Sequence, residues 1–364
     1  MAFLYTSIPY NDLPPLPPEQ SLETVAVLKA VIDARSQLAS LDKACELIPN
    51  PQIITTTIPL REAQASSKIE NIVTTTDELF RAAWSVEVAP TPETKEALRY
   101  TSALFRGVER LRERLVSVKL AADICSTLQG VEMGVRATPG TYIGNPSSGE
   151  HVYTPPEGKH VIEGHLSAWE RFLYSDHGLD PLVLMAVTHY QFEAIHPFHD
   201  GNGRTGRILN ILMLMQEGVL RLPVLYLSGY IVRNKTEYYR RLRRVTTHQE
   251  WEPWLLYMVR GVEAAAREAA ALIDELRDIQ TTMAHRMREA GRVAAPEKLA
   301  EILMRNPYAR ISDVVSAGLA QRQTASVWLA RVAELGLLDE VKVGREKIFI
   351  NRLALSALNS DATV

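Results

Sequence analysis

His196-Pro-Phe-His-Asp-Gly-Asn-Gly-Arg-Thr-Gly-Arg207 is the stretch on which the reading of this chain turns. It follows an apolar, helix-forming run and leads into another, so its residues lie at a corner between two helices. Glycines at 201 and 203 remove Cβ atoms, and backbone N–H groups at a helix N-terminus can then close on phosphate oxygens, where the dipole favours an anion. Asn202 adds a neutral donor. Arg204 and Arg207, three apart on one helix face, offer planar and permanently charged forks suited to phosphates. Asp200 is a hard anionic oxygen ligand of the kind that holds Mg²⁺ alongside phosphates and water. His196 titrates near neutrality in its ordinary state and can take a proton from an incoming hydroxyl. Base, metal ligand, anion nest and two guanidiniums within twelve residues point to an enzyme that handles a nucleoside triphosphate.

Composition sets the frame around that stretch. The 364 residues are 46% hydrophobic and 23% charged, ordinary globular proportions with length for two or three domains. A net charge of -3 argues against a surface that grips nucleic acid throughout, but leaves room for one basic patch. Cys45 and Cys125 are too few for a disulfide framework or a cysteine zinc site. Neither a secretory signal nor an apolar run of membrane-spanning length is evident, so a cytoplasmic protein without membrane contact is expected.

Periodicity and punctuation divide the chain. A proline-rich extended arm covers the first twenty residues, and helical spacing then runs from Ser21 to Leu47 until Asn50-Pro51 breaks it. A second helix is expected from about Leu60, a short one after Asp77, and others over 93–116, with Thr91 as N-cap, and 120–128. Short strands at 141–143 and 151–153 flank an Asn145-Pro-Ser-Ser-Gly149 turn. Helices resume over 161–174, 181–195, 202–216, 234–245 and 252–290. Beyond a linker at 291–295, three helices (296–304, 311–316 and 321–335) precede a hairpin, Val341–Val343 and Lys347–Ile350, around Gly344-Arg345; this is a winged helix-turn-helix layout. Val327, Leu329 and Val332 are expected in that module's core, with Arg322, Gln323, Thr324 and Ser326 early on the recognition helix and Arg345 and Lys347 at the wing.

The stretch from His196 to Arg207 resembles the Fic family signature, His-x-Phe-x-Asp/Glu-Gly-Asn-Gly-Arg-x-x-Arg, and matches it at every fixed position. The resemblance implies a mainly α fold: a Fic-type helical core with a short β-hairpin flap, here joined to a small winged helix-turn-helix domain. The implied domains are 1–90, an arm and helices with an inhibitory helix at 61–72; 91–290, the catalytic core; and 295–364, the winged helix. The implied activity is Mg²⁺-dependent transfer of AMP from ATP to a Tyr, Thr or Ser hydroxyl of a protein, the chain itself included, with release of pyrophosphate. His196 would be the general base, Asp200 the Mg²⁺ ligand and Gly201, Asn202 and Gly203 the nest. Arg204 and Arg207 would bind the β- and γ-phosphates, and Phe198 would anchor the loop. A kinase-like branch of the family has lysine where this chain has Gly203, which favours nucleotidyl transfer.

Three further stretches carry the resemblance. Ser66-Ser-Lys-Ile-Glu70-Asn71 looks like the family's inhibitory motif, in which Glu70 would pair with Arg207; the same carboxylate could instead orient a water for AMP removal. The hairpin with Tyr142, Ile143, Val152 and Tyr153 resembles the flap that docks an extended target by strand addition. Asn234 and Tyr239 fall in the region that lines the family's nucleoside pocket. The C-terminal module suits contact with DNA or with protein, and members of this layout are often homodimers. Two alternatives stand beside this reading: a transcriptional regulator that only senses nucleotide, and an enzyme that transfers another nucleoside monophosphate or removes AMP.

Overall fold

In the computed structural model, residues 8–48, 50–84, 89–144, 151–291, 293–343 and 346–359 are described. The Asn145–Gly149 turn and the Gly344-Arg345 wing tip lie outside them. The N-terminal helices are α1 (Val25–Leu47), α2 (Gln52–Ile69), α3 (Thr76–Ala83), α4 (Pro92–Arg110) and α5 (Val118–Gln129). A hairpin of β1 (Ile143–Gly144) and β2 (His151–Tyr153) follows, then α6 (Lys159–Tyr174), α7 (Pro181–Ile195), α8 (Asn202–Gln216), α9 (Leu227–Arg233), α10 (Lys235–His248) and the long α11 (Trp251–Glu289). The C-terminal module contains α12 (Pro296–Arg305), β3 (Tyr308–Arg310), α13 (Ile311–Ser316), α14 (Arg322–Glu334), β4 (Asp339–Val343), β5 (Glu346–Ile350) and α15 (Arg352–Asn359).

Side-chain caps explain many of the boundaries. The hydroxyls of Thr24, Thr91 and Ser117 accept from Val27, Thr94 and Leu120 N–H groups, and Asp180 caps α7 just before Pro181. Thr75 and Glu78 form a capping box at α3. The most enclosed layer is the α7–α8 pair: α7 is buried from Leu182 to Ile195, and α8 at nearly every position up to Leu214. Trp169 and Trp254 close over it by donating their indole N–H groups to the carbonyls of Thr188 and Ala186, both at 2.9 Å. No helix among the described residues is long and apolar enough to cross a membrane.

Helix α2 departs most from the sequence expectation. It starts at Gln52, not near Leu60, and runs through Pro59. Pro59 removes one backbone donor, yet Ile53, Ile54, Ile58 and Leu60 are buried and hold the segment in place. Thr55, Thr56 and Thr57 return their hydroxyls to carbonyls on the preceding turn. The helix stops at Ile69, with Glu70 as its C-cap and Asn71 at φ 64°.

The C-terminal module shows the expected three helices and hairpin, with additions. Strand β3 joins the sheet in the order β3-β5-β4, all antiparallel, and α15 closes the module. Leu329 and Val332 are buried as expected, whereas Val327 is 51% exposed; the buried face of α14 runs through Ala325, Leu329 and Val332, and Val327 points away from it. The module touches both ends of the α2–α3 segment. Asn50 donates to Glu301, and the Tyr308 hydroxyl donates to Asp77 at 2.6 Å beside the Trp84 ring.

Glu62 anchors α2 from within. Its carboxylate accepts from the Ser228 N–H at 2.8 Å, the Ser228 hydroxyl and the Tyr100 hydroxyl, tying α2 to α9 and α4. Burial pushes its pKa up to about 7, against the pull of Ser228, Arg207 and Tyr100. Glu62→Ala leaves buried donors unpaired, and a loss of about 3 kcal/mol in unfolding free energy is expected from urea denaturation; a loss below about 0.5 kcal/mol would remove Glu62 from this role.

Candidate active site

The site begins where α7 ends. His196 takes left-handed angles, φ 50° and ψ 60°, and turns the chain out of the helix. Phe198 is fully buried and its ring sits 6.2 Å from that of Phe192, so the loop is pinned to the core as the sequence suggested. Asn202 also braces the loop: its Oδ1 accepts from Phe198 N and its Nδ2 donates to Phe198 O, both at 2.8 Å. Gly201 has φ 80° and precedes α8 without a side-chain cap; a Cβ there would stand 2.7 Å from Gln129 Nε2.

Two arginines leave α8 almost wholly buried. Arg204 pairs with Glu96, a partner that sequence gave no sign of. Arg207 donates from Nε to Ser66 Oγ at 2.7 Å and from Nη2 to the Ser66 carbonyl at 3.0 Å and to Glu70 Oε1 at 2.7 Å. A side chain at Gly203 would collide with the Glu70 carboxylate, so this glycine gives Glu70 its access to Arg207. Burial alone would raise the Glu70 pKa, but the charge and hydrogen bond of Arg207, with Arg204 and His196, hold it below the ordinary carboxylate range. Asn71 accepts from Lys235, which links the end of α2 to α10.

His196 is half-buried; burial first, then the charge of Arg136, push its pKa down to about 4, against the opposing pull of Glu70, the Glu193 carbonyl and Asp200. The flap forms with Ile143 opposite Tyr153 and Gly144 opposite His151. Tyr142 is 52% exposed and stacks on His151, and Val152 is half-buried. Tyr153 turns its hydroxyl inward, donating to the Ala194 carbonyl at 2.8 Å. Asn234 joins α9 to α10 and donates its amide to the Tyr230 carbonyl, while Tyr239 is partly exposed beside Tyr238. Burial, and then the Glu70 charge, raise the Tyr239 hydroxyl pKa.

Comparison with known proteins agrees with this arrangement. Residues 118–214 match the model described as Fic/DOC family, and residues 28–109 match Fic/DOC family N-terminal. Residues 279–353 match Protein adenylyltransferase SoFic-like, C-terminal domain. The chain belongs to the Fic/DOC family. Protein adenylyltransferase fic-1 of Caenorhabditis briggsae is 31% identical over 137 residues, 37% of this chain and 24% of that protein. Protein adenylyltransferase Fic of Nematostella vectensis is 30% identical over 116 residues, 31% of this chain and 25% of that protein. The aligned part is thus about a quarter of the length of these relatives. A crystal structure of a Fic family protein from Desulfovibrio desulfuricans G20 superposes with TM-score 0.58 at 21% identity, covering 92% of this chain and 98% of that one. A Fic domain containing signaling protein from Bacteroides thetaiotaomicron gives TM-score 0.53 at 16% identity over 67% of this chain and 95% of that one. Both likenesses concern the fold.

In this Fic chain the residue suited to a metal is Asp200, whose side chain is 72% exposed and whose Oδ1 accepts the Gly201 N–H at 2.6 Å. No group of three or more His, Cys, Asp or Glu that could hold a metal occurs among the described residues. An ion here would take one protein carboxylate and complete its shell from phosphate and water, which suits Mg²⁺.

Sequence reasoning passed over Arg136, Glu193 and His189. Glu193 lies three residues before His196 on α7, and that spacing was the available signal. Burial pushes the Glu193 pKa up to about 7, against Arg207, while burial and then Arg207 push His189 down to about 3. The imidazole of His196 is therefore neutral above about pH 4 in the nucleotide-free protein. A histidine NMR titration should place its midpoint near 4; a midpoint at or above the ordinary value of about 6.5 would contradict the burial that the loop imposes.

Proposed function

We propose that this chain is a protein adenylyltransferase that moves AMP from Mg-ATP to a Tyr, Thr or Ser hydroxyl of a protein, itself included, and that Glu70 restrains it. The observation that carries the reading is the Arg207 guanidinium, buried beside the His196 loop and paired with Glu70 and Ser66. A γ-phosphate suits the same fork, so nucleotide and Glu70 compete for one cation. Arg204 would serve the β-phosphate, and the start of α8 at Gly201 to Gly203 the phosphate backbone. Mg²⁺ on Asp200 supplies charge neutralisation to the phosphate oxygens.

In the reaction a target hydroxyl oxygen bonds to the α-phosphorus, its proton passes to His196, and the bond to the β-phosphate oxygen breaks with pyrophosphate leaving. A neutral imidazole is what this step requires, and burial keeps His196 in that form. The nucleoside end would lie toward Asn234 and Tyr239, and the target strand along the flap at Tyr142, Ile143 and Val152. For the C-terminal module, we read a winged helix used for docking to protein. Its α14 exposes Arg322, Gln323 and Thr324, with Gln321 just before them, yet Lys347 on the wing pairs with Glu340 at 2.6 Å, leaving a polar face.

Incubation with α-labelled and γ-labelled ATP and Mg²⁺ tests the reaction. Protein-bound label is expected from the α position only, with loss of at least about a hundredfold in His196→Ala and a gain of about tenfold or more in Glu70→Gly. Label from the γ position would make the chain a kinase. No change in Glu70→Gly at saturating Mg-ATP would remove the restraint from Glu70.

A further inference from the structure

Four consecutive carbonyls at the C-terminal end of α7 find partners on the flap side of the site. Ala194 O accepts from the Tyr153 hydroxyl at 2.8 Å. Ile195 O accepts from Arg136 Nη2 at 3.3 Å, and His196 O from Arg136 Nε at 2.8 Å. Pro197 O accepts from the backbone N–H of Arg136 at 2.9 Å. The same Nη2 donates at 2.5 Å to the carbonyl of Pro156, three residues beyond β2. Helices leave their last carbonyls unpaired and concentrate partial negative charge there, which accounts for a guanidinium at this place.

Arg136 is only 2% exposed, and no carboxylate forms an ion pair with it among the described residues. A buried cation held by carbonyls is costly; beside its charge on His196, it supplies a geometric tie. Its planar fork reaches the catalytic loop and the flap base at once, a span that a lysine's point charge does not match. The base of the flap at Pro156 is thus joined to the His196 carbonyl through a single guanidinium.

We propose that Arg136, assisted by Tyr153, is a positioning residue that fixes the flap relative to His196 and so sets where a target hydroxyl stands for proton transfer. The chemical consequence rests on the adenylyltransferase reading above; the tie itself stands on the hydrogen bonds. It acts on the target side, because the nucleotide-facing Arg204 and Arg207 are held separately by Glu96, Ser66 and Glu70. A displacement near 1 Å at a reacting pair is worth about a hundredfold in rate.

Full-length Glu70→Gly protein and its Arg136→Met, Arg136→Lys and Tyr153→Phe derivatives test this with three measurements: amide exchange at residues 151–154, Mg-ATP affinity by calorimetry, and AMP incorporation into the chain from α-labelled ATP at saturating nucleotide. Arg136→Met is expected to speed flap exchange about tenfold or more and lower incorporation about a hundredfold, with Mg-ATP affinity held within about threefold. Arg136→Lys recovers part of both losses, and Tyr153→Phe gives smaller changes in the same direction. Unchanged flap exchange overturns the inference, as does unchanged incorporation, or an Mg-ATP affinity that falls in step with incorporation. Should Arg136→Met not fold, Arg136→Lys and Tyr153→Phe decide by the same criteria. A Glu70→Gly parent that incorporates no AMP contradicts the reading of the activity, and flap exchange alone then decides the tie.

Discussion

A guanidinium buried in the helical core, that of Arg207, is the constraint to which the rest of the site answers. A charge removed from water must be paired and hydrogen-bonded, or its burial is prohibitive. Here Ser66 and Glu70 meet that need, which requires α2 to lie along α8 with its C-terminal end at the His196 loop. Gly203 has no side chain, so the Glu70 carboxylate can close on the guanidinium. Glu62, one turn before Ser66, holds the helix at that depth through Ser228 and Tyr100. On the proposed reading, a triphosphate would have to displace this pairing, so the interaction that holds the resting site would also oppose nucleotide.

Electrostatics extend this outward from Arg207. Arg136, Arg204 and Arg207 converge on one loop, and each is held differently: by backbone carbonyls, by Glu96, and by Ser66 with Glu70. Burial together with the Arg136 charge keeps the His196 ring neutral, the form able to accept a proton. Asp200 keeps contact with solvent, where a divalent ion can be exchanged. Arg204 and Arg207 are thus held by side chains of other helices, while Arg136 is held by the loop and flap backbone.

Part of this was legible in the sequence where chemistry and spacing coincide: the His196 to Arg207 stretch announced its own helix corner. The partner for Arg207 came instead from the resemblance of Ser66 to Asn71 to the family's inhibitory motif. Less was legible where tertiary packing overrides local preference. Pro59 and the threonines before it argue against a helix, yet buried isoleucines carry α2 through them. Asn202 was read from its residue type as a ligand donor, and only the fold shows that it also braces the loop through Phe198. Arg136 and Glu96 have partners far off in sequence, at carbonyls or on another helix, and no pattern of residue types encodes such pairs. Strand β3 is three residues long and α15 eight, too short for periodicity to register.

A double-mutant cycle on Mg-ATP affinity tests the central relation most directly, because it isolates the Glu70–Arg207 coupling from catalysis and from any target. Calorimetry would compare the wild type, Glu70→Gly, Arg207→Met and the double variant. If the carboxylate opposes nucleotide by occupying the guanidinium, Glu70→Gly tightens binding about tenfold when Arg207 is present and leaves it unchanged when Arg207 is absent. An equal tightening in both backgrounds would mean that Glu70 acts without Arg207, and would contradict the role assigned to the pair.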